Sequence, residues 1–150
     1  MSILVGKRLT RGVINCNPMN IRKGSNWRGL KLKQKDKSFC QFSEMKWGLR
    51  AGVYLLRKYV VKYRLDTAEK IISRWAPEID GNNTKIYIDR VRKSLKIQTG
   101  ADNYVMTPDD FVLHDEKPTR GLIGLVTEMC IVESLYKPSA KEIAEAVKIL

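Results

Sequence analysis

The sequence predicts an α+β fold, mostly helical, with its strands confined to one small β-hairpin lobe. Three observations predict it. From Met45 onward, apolar residues recur at helical spacing through most of the chain. Helix-start signals precede these stretches: Ser43, Asp66, Asn83, Thr107, Thr119 and Ser139. Between residues 26–33 and 38–42, two short segments of strand-like composition flank the polar turn Gln34-Lys35-Asp36-Lys37, which reads as a hairpin. Strands gathered in one place and helices elsewhere define an α+β pattern rather than an alternating one.

Taken in order, the first element is Arg11-Gly12-Val13-Ile14-Asn15-Cys16-Asn17-Pro18-Met19-Asn20-Ile21-Arg22. Asparagine amides both donate and accept, and Asn-Pro starts a turn, so this segment predicts an ordered, hydrogen-bonding loop. After the hairpin, Ser43 caps a helix whose apolar positions are Met45, Leu49, Val53, Leu56 and Val60. Asp66 and Glu69 form a D-x-x-E capping pattern for the next, which runs to about Trp75 and stops at Pro77. Asn83 caps a third, with Ile86, Tyr87, Val91 and Leu95 on or near one face. Thr107-Pro108 is an N-cap followed by proline at the first helical position. Thr119 starts a helix to about Glu133, and Ser139-Ala140-Lys141-Glu142 is a capping box for the last.

A chain of 150 residues with 43% hydrophobic composition suits one domain, 1–150, with its own core. No apolar run approaches a membrane span. The start MSILVGKRLTRG has too short an apolar stretch for a signal peptide, which predicts synthesis and retention in a cytoplasm unless another route exports the protein. Cys16, Cys40 and Cys130 form no C-x-x-C pair, and His114 is the one histidine. That inventory argues against a zinc site or a histidine-based catalytic pair and predicts no metal and no cofactor. The net charge of +12 favours a polyanionic partner: nucleic acid, bacterial cell wall or an anionic membrane surface. Against specific nucleic acid recognition, no binding motif is present and the aromatics do not read as interleaved with the basic residues. A monomer in solution is expected.

One acid stands out. On a helical projection of 119–133, Leu122, Leu125, Val126, Met129 and Val132 form the core stripe. Glu133 falls about 20° from Leu122, in the middle of that stripe and at the helix C-terminus. Burial and the negative end of the helix dipole both raise a carboxyl pKa. A carboxylic acid still protonated near neutral pH is what a glycosidic oxygen requires of a general acid. The alternative is a frayed helix end with a solvated Glu133.

The segment RGVINCNPMNIR resembles the R-G-x-x-N-x-N-P-x-N-I-R signature of a phage family described as virion proteins with a lysozyme-like, transglycosylase-type domain. The resemblance continues through Trp27-Arg28-Gly29, Phe39 to Phe42, Gly48-Leu49-Arg50-Ala51, Arg74-Trp75-Ala76-Pro77 and Asn82-Asn83-Thr84, and covers about residues 11–149. Its glutamate-bearing helix end aligns with Ile131-Val132-Glu133-Ser134, although Ser134-Leu135 replaces the usual Asn-Gly. A second resemblance is to flagellar-type glucosaminidases, whose glutamate helix precedes the Asn-rich loop. Here it follows, which implies a circularly permuted lysozyme-like domain with Glu133 beside residues 15–22.

The resemblance implies a peptidoglycan-degrading glycosidase, of lytic transglycosylase or muramidase type, with Glu133 as catalytic acid. Bacterial peptidoglycan is then the substrate, other virion proteins are partners, and the site of action is the virion or the host periplasm. Asn15, Asn17 and Asn20 either bind sugar or brace the loop. Arg11 and Arg22 either hold a glycan carboxylate or pair with nearby acids. Trp27, Trp75 and Tyr87 either stack on sugar rings or pack in the core. Asp36 and Glu44 are the candidates for a second carboxylate, with a turn cap and a first-turn helix residue as their structural roles. The other reading of the chain is a non-catalytic virion protein that keeps the fold, or a basic DNA-associated protein.

Overall fold

The computed structural model describes residues 3–4, as backbone, and 9–150, so the leader reading falls largely outside the described residues. The elements are β1 (Ile3–Leu4), α1 (Arg11–Ile14), α2 (Met45–Arg57), α3 (Ala68–Trp75), α4 (Thr84–Thr99), α5 (Arg120–Ser134), β2 (Tyr136–Lys137) and α6 (Ala140–Lys148). The architecture is mostly helical with little strand. α2 continues as a π-helical segment over Lys58–Lys62. No helix among the described residues is long and apolar enough to cross a membrane.

The helical spacing of apolar residues translates directly into burial. Leu49, Val53 and Leu56 of α2 and Leu122, Leu125, Val126 and Met129 of α5 are fully buried. They join Ile71 and Ile72 of α3, Tyr87, Val91 and Leu95 of α4, and Ile143 and Ala146 of α6 in one main core. α4 and α5 are the most intimately packed pair. The Ser94 hydroxyl donates to Gly124 O at 2.7 Å across their interface. A smaller cluster of Ile21, Cys40, Phe42 and Ala51 joins the N-terminal loops to α2, with Trp27, Trp47 and Trp75 against it. Cys16, Cys40 and Cys130 are free thiols.

Three caps stand where the sequence places them: Asn83, Thr119 and Ser139 each accept a backbone N–H of the first turn. Two are displaced by one residue. Thr67, not Asp66, caps α3, accepting from Lys70 N, because the hydroxyl there has the extended backbone a cap needs. Asp66 pairs with Lys70 instead. Glu44, not Ser43, occupies the N-cap position of α2, without a side-chain bond, and Ser43 N donates to Gly29 O. Thr107-Pro108 opens only a 3₁₀ turn, Pro108–Phe111. Its Asp110 is turned inward to accept from Tyr104, Thr107 and Thr119.

The hairpin is the main correction. Residues 26–33 and 38–42 pair antiparallel only over 29–31 and 41–43, through Lys31 N to Gln41 O and Ser43 N to Gly29 O, and do not form two regular strands. Residues 38–43 pair in turn with two different segments, through isolated antiparallel bridges Arg22↔Phe39 and Leu30↔Phe42. Side chains take up the backbone groups that a ladder would have used. Asp36 accepts from Ser38 N and Phe39 N. Gln34 accepts from Gln41 N while donating to Lys31 O and Gln41 O, and Gln41 accepts from Lys35 N. Amide and carboxylate side chains compete with the sheet for its own hydrogen bonds. The regular two-stranded sheet is elsewhere, β1 against β2 in antiparallel register. The start of the segment, expected as an ordered hydrogen-bonding loop, forms the one-turn helix α1, capped by Thr10.

Candidate active site at the end of helix α5

Helix α5 ends with its last carbonyls in need of donors. Thr10 Oγ1 donates to Ser134 O at 2.6 Å, and Asn20 Nδ2 donates to Glu133 O at 2.9 Å. Leu135 N closes the turn onto Cys130 O and Ile131 O. The N-terminal loop is therefore the cap of the glutamate helix. Small residues allow the approach. A Cβ on Gly12 would overlap the Ser134 side chain, and one on Gly48 of α2 would overlap Cys16 O. Two of the sequence blocks, R-G and G-L-R-A, thus hold their glycines where backbone meets helix.

This cap places Glu133 beside the loop, in reach of residue 20. Asn20 Nδ2 lies 3.3 Å from Oε1, and Tyr87 Oη donates to Oε2 at 3.0 Å. The Trp75 indole also donates, and Arg22 acts on the carboxyl by charge. Burial nevertheless dominates and raises the Glu133 pKa above the ordinary glutamate range, against the lowering effect of Asn20, Tyr87, Trp75 and Arg22 in that order. Neutral donors make up most of the ring, so no tight ion pair fixes the carboxylate as an anion. Tyr87 is itself buried, and burial with the adjacent Glu133 pushes its phenol well up, so it stays a donor. Asn20 Oδ1 is buried with no partner.

The remaining residues singled out from sequence separate into two further places. Asn15, Asn17, Arg11 and Asp36 form a closed brace. Asn17, fully buried, donates from Nδ2 to Ile21 O and Cys40 O and accepts from Ile21 N. Asn15 donates to Asp36 and accepts from Gln41. Arg11 grips Asp36 with two bonds of 2.7 and 2.6 Å. With Ser38 N and Phe39 N, five donors saturate the Asp36 oxygens, and the Arg11 bonds lead in holding its pKa far below the usual carboxylate range. Arg11 and Arg22 both lie over the Phe39 ring, at 4.6 and 5.1 Å. Trp27 packs edge-on against Tyr54 at 5.5 Å, on the α2 side. Glu44 lies at the start of α2 beside Glu142 and Glu145. Neither Asp36 nor Glu44 is among the groups that shift Glu133: Asp36 is held in the Arg11 brace and Glu44 stands at the start of α2.

Thr10, Gly12 and Gly48 were not singled out as contributors. A concavity of about 770 Å³ lies between α5 and α6, away from Glu133, and its Glu116 pairs with Lys148 at 3.5 Å. Among the described residues no group of three or more His, Cys, Asp or Glu is placed to hold a metal ion.

Fold and site together define a mostly helical α+β protein in which a single half-buried glutamate, ringed largely by neutral donors, ends a core helix. No family model matches the sequence. Over 91 residues the chain is 45% identical to Protein P5 of Pseudoalteromonas phage PM2, a stretch that is 58% of this chain and 56% of that protein. The match thus spans just over half the length of the curated relative.

Proposed function

We propose that this chain is a phage virion component whose lysozyme-like domain cleaves the glycan strand of bacterial peptidoglycan, with Glu133 as general acid. The observation that carries the reading is the Glu133 carboxyl: half-buried, raised in pKa by that burial, and hydrogen-bonded by Asn20 and Tyr87. Protonated, it gives its proton to the glycosidic oxygen as that bond to the anomeric carbon breaks. Ionised, it is the base that takes the proton from the incoming hydroxyl. With a single carboxylate available, an internal hydroxyl of the same sugar is the nucleophile, and an anhydro sugar is the product. That is lytic transglycosylase chemistry rather than two-acid hydrolysis. Asn20 and Arg22 are the loop residues placed to meet the glycan near the acid. Asn15, Asn17 and Arg11 shape the loop from behind.

The second reading is a virion protein that keeps this fold without activity. It is favoured by the similarity to a phage protein and by Ser134-Leu135 standing where the resembling family has Asn-Gly. One experiment separates the two. Purified protein and Glu133→Gln are incubated with isolated sacculi, and released muropeptides are analysed by mass spectrometry. Release by wild type alone, with anhydro ends, supports the enzyme. Reducing ends would make it a hydrolase, and equal or absent release would leave the structural protein.

A further inference from the structure

Beside α2 lies a groove of about 380 Å³, lined among others by Asn26, Trp27, Arg28, Arg50, Tyr54 and Lys58. At 9% exposure Arg50 is buried, and its Nε donates to Ile149 O at 2.8 Å. Among the described residues no carboxylate pairs with it. Burial lowers its pKa, and its like-charged neighbours Arg28 and Arg57 lower it further. The Trp27 indole N–H in the same wall is buried without an acceptor. The groove therefore holds a surplus of donors and of positive charge.

The surplus extends along the helix. Arg50 and Arg57 rest on the Tyr54 ring at 5.7 and 5.4 Å, and Arg28 and Lys46 on Trp47 at 5.0 and 5.3 Å. Lys58 and Lys62 flank Tyr63, and Arg74 reaches both Tyr59 and Tyr63. None of these cations has a carboxylate partner among the described residues. The expectation that aromatics and cations do not interleave fails on this face. They alternate at helical spacing, as Trp47, Arg50, Tyr54, Arg57 and Lys58, which brings them together on one surface though not side by side in sequence.

We propose that this face binds the phosphodiester backbone of duplex nucleic acid without reading its sequence. The guanidinium groups of Arg28 and Arg57, seated on the Trp47 and Tyr54 rings, keep N–H groups for phosphate oxygens. A row from Trp47 to Lys62 runs on the order of 20 Å, enough to meet several successive phosphates. Cations cover the ring faces, so bases have little to stack on, and the contact is with the backbone. An anionic bilayer would call for an apolar wedge, whereas the rings here are covered by charge.

The test is fluorescence anisotropy with a labelled random-sequence DNA duplex across a salt series. The triple variant Arg28→Gln, Arg57→Gln, Lys58→Gln is set against Lys93→Gln, Lys137→Gln, Lys141→Gln, which removes the same charge elsewhere. Circular dichroism checks that both fold. The expected result is at least about tenfold weaker binding for the first triple, with a salt slope shallower by about two to three, and less than twofold change for the second. Equal losses in the two, no binding by wild type, or face-dependent binding to phosphatidylglycerol vesicles in place of DNA would each overturn the proposal.

Discussion

Asp36 and Glu133 are both carboxylates reached by the same twelve-residue loop, yet the loop treats them in opposite ways. It gives Asp36 a guanidinium and an amide, and backbone N–H groups of the following turn complete its shell of five donors. It gives Glu133 one amide edge, and the rest of that ring comes from Tyr87 and Trp75, with Arg22 acting by charge alone. The first arrangement holds its carboxyl far below the usual range, and in the second burial outweighs the donors and raises it. The difference teaches that hydrogen bonding alone does not make an acid site. What matters is whether the donors outweigh the desolvation they accompany.

The sharpest way to break this contrast is to remove each charge in turn. Glu133→Gln is expected to lower muropeptide release at least about 100-fold while leaving the thermal midpoint unchanged or a few degrees higher. Asp36→Asn is expected to do the reverse: a midpoint lower by several degrees, since the Arg11 bonds lose their anion, with residual activity tracking the folded fraction. A thermal melt and a sacculus assay on both variants decide it. If Asp36→Asn loses activity while fully folded, the brace belongs to the site.

The two carboxylates also pull stability in opposite pH directions. The folded pKa of Glu133 lies above its unfolded value. Its contribution is therefore fully present below the unfolded pKa of about 4.3 and is lost as pH rises through the folded one. Asp36 is depressed, so its contribution is present above about 3.9 and is lost as pH falls below that toward its folded pKa. Denaturant melts from pH 3 to 8 should show the Glu133→Gln advantage growing as pH rises above about 4 and then levelling. Asp36→Asn should cost least in the most acidic samples. A Glu133→Gln difference that is flat with pH would show that the folded state does not shift this acid.

Gly12 tests whether the loop and the helix end form one unit. Gly12→Ala forces a Cβ into the Ser134 side chain, which should cost about 1–3 kcal/mol and move Asn20 off Glu133. Ser134→Gly in the same chain should recover part of that loss, because the overlapping side chain is gone. An additive double mutant in a denaturant cycle would separate the two elements.

Tyr87 sharpens the contrast at its weaker side. Tyr87→Phe removes the donor to Oε2 and should let the Glu133 pKa rise further. The alkaline limb of the pH–activity profile then moves up, while stability changes by about 1 kcal/mol or less. An unmoved limb would mean that some other group titrates there.

Much of this was legible in sequence, and the illegible parts share a cause. The glutamate could be found because an acid on an apolar stripe violates helical periodicity, and Asn83, Thr119 and Ser139 could be found because a cap is local chemistry. The hairpin failed because Gln34, Asp36 and Gln41 satisfy backbone groups that strand composition assigns to a ladder. The roles of Asn15 and Asn17, brace or sugar contact, were undecidable because both use the same amide chemistry and only the partner distinguishes them. Thr10, Gly12 and Gly48 act through contacts with remote segments, and spacing along the chain carries no trace of those.

Leu135 shows where the fold has not reached its stability optimum. It ends α5 with φ of 52°, the left-handed conformation, in which a Cβ crowds the following carbonyl at roughly 1–2 kcal/mol. The side chain is 46% exposed and returns little of that by burial. Glycine would remove the crowding but lose more chain entropy on folding, by roughly 0.5–1 kcal/mol. Leu135→Gly should therefore stabilise the protein by up to about 1.5 kcal/mol, and Leu135→Asn by less, measured by denaturant unfolding. The hydrogen bonds of Leu135 N to Cys130 O and Ile131 O are backbone bonds and survive either change. If glycine destabilises instead, the leucine side chain holds the turn that follows Glu133, and the helix end is built by packing rather than by its cap.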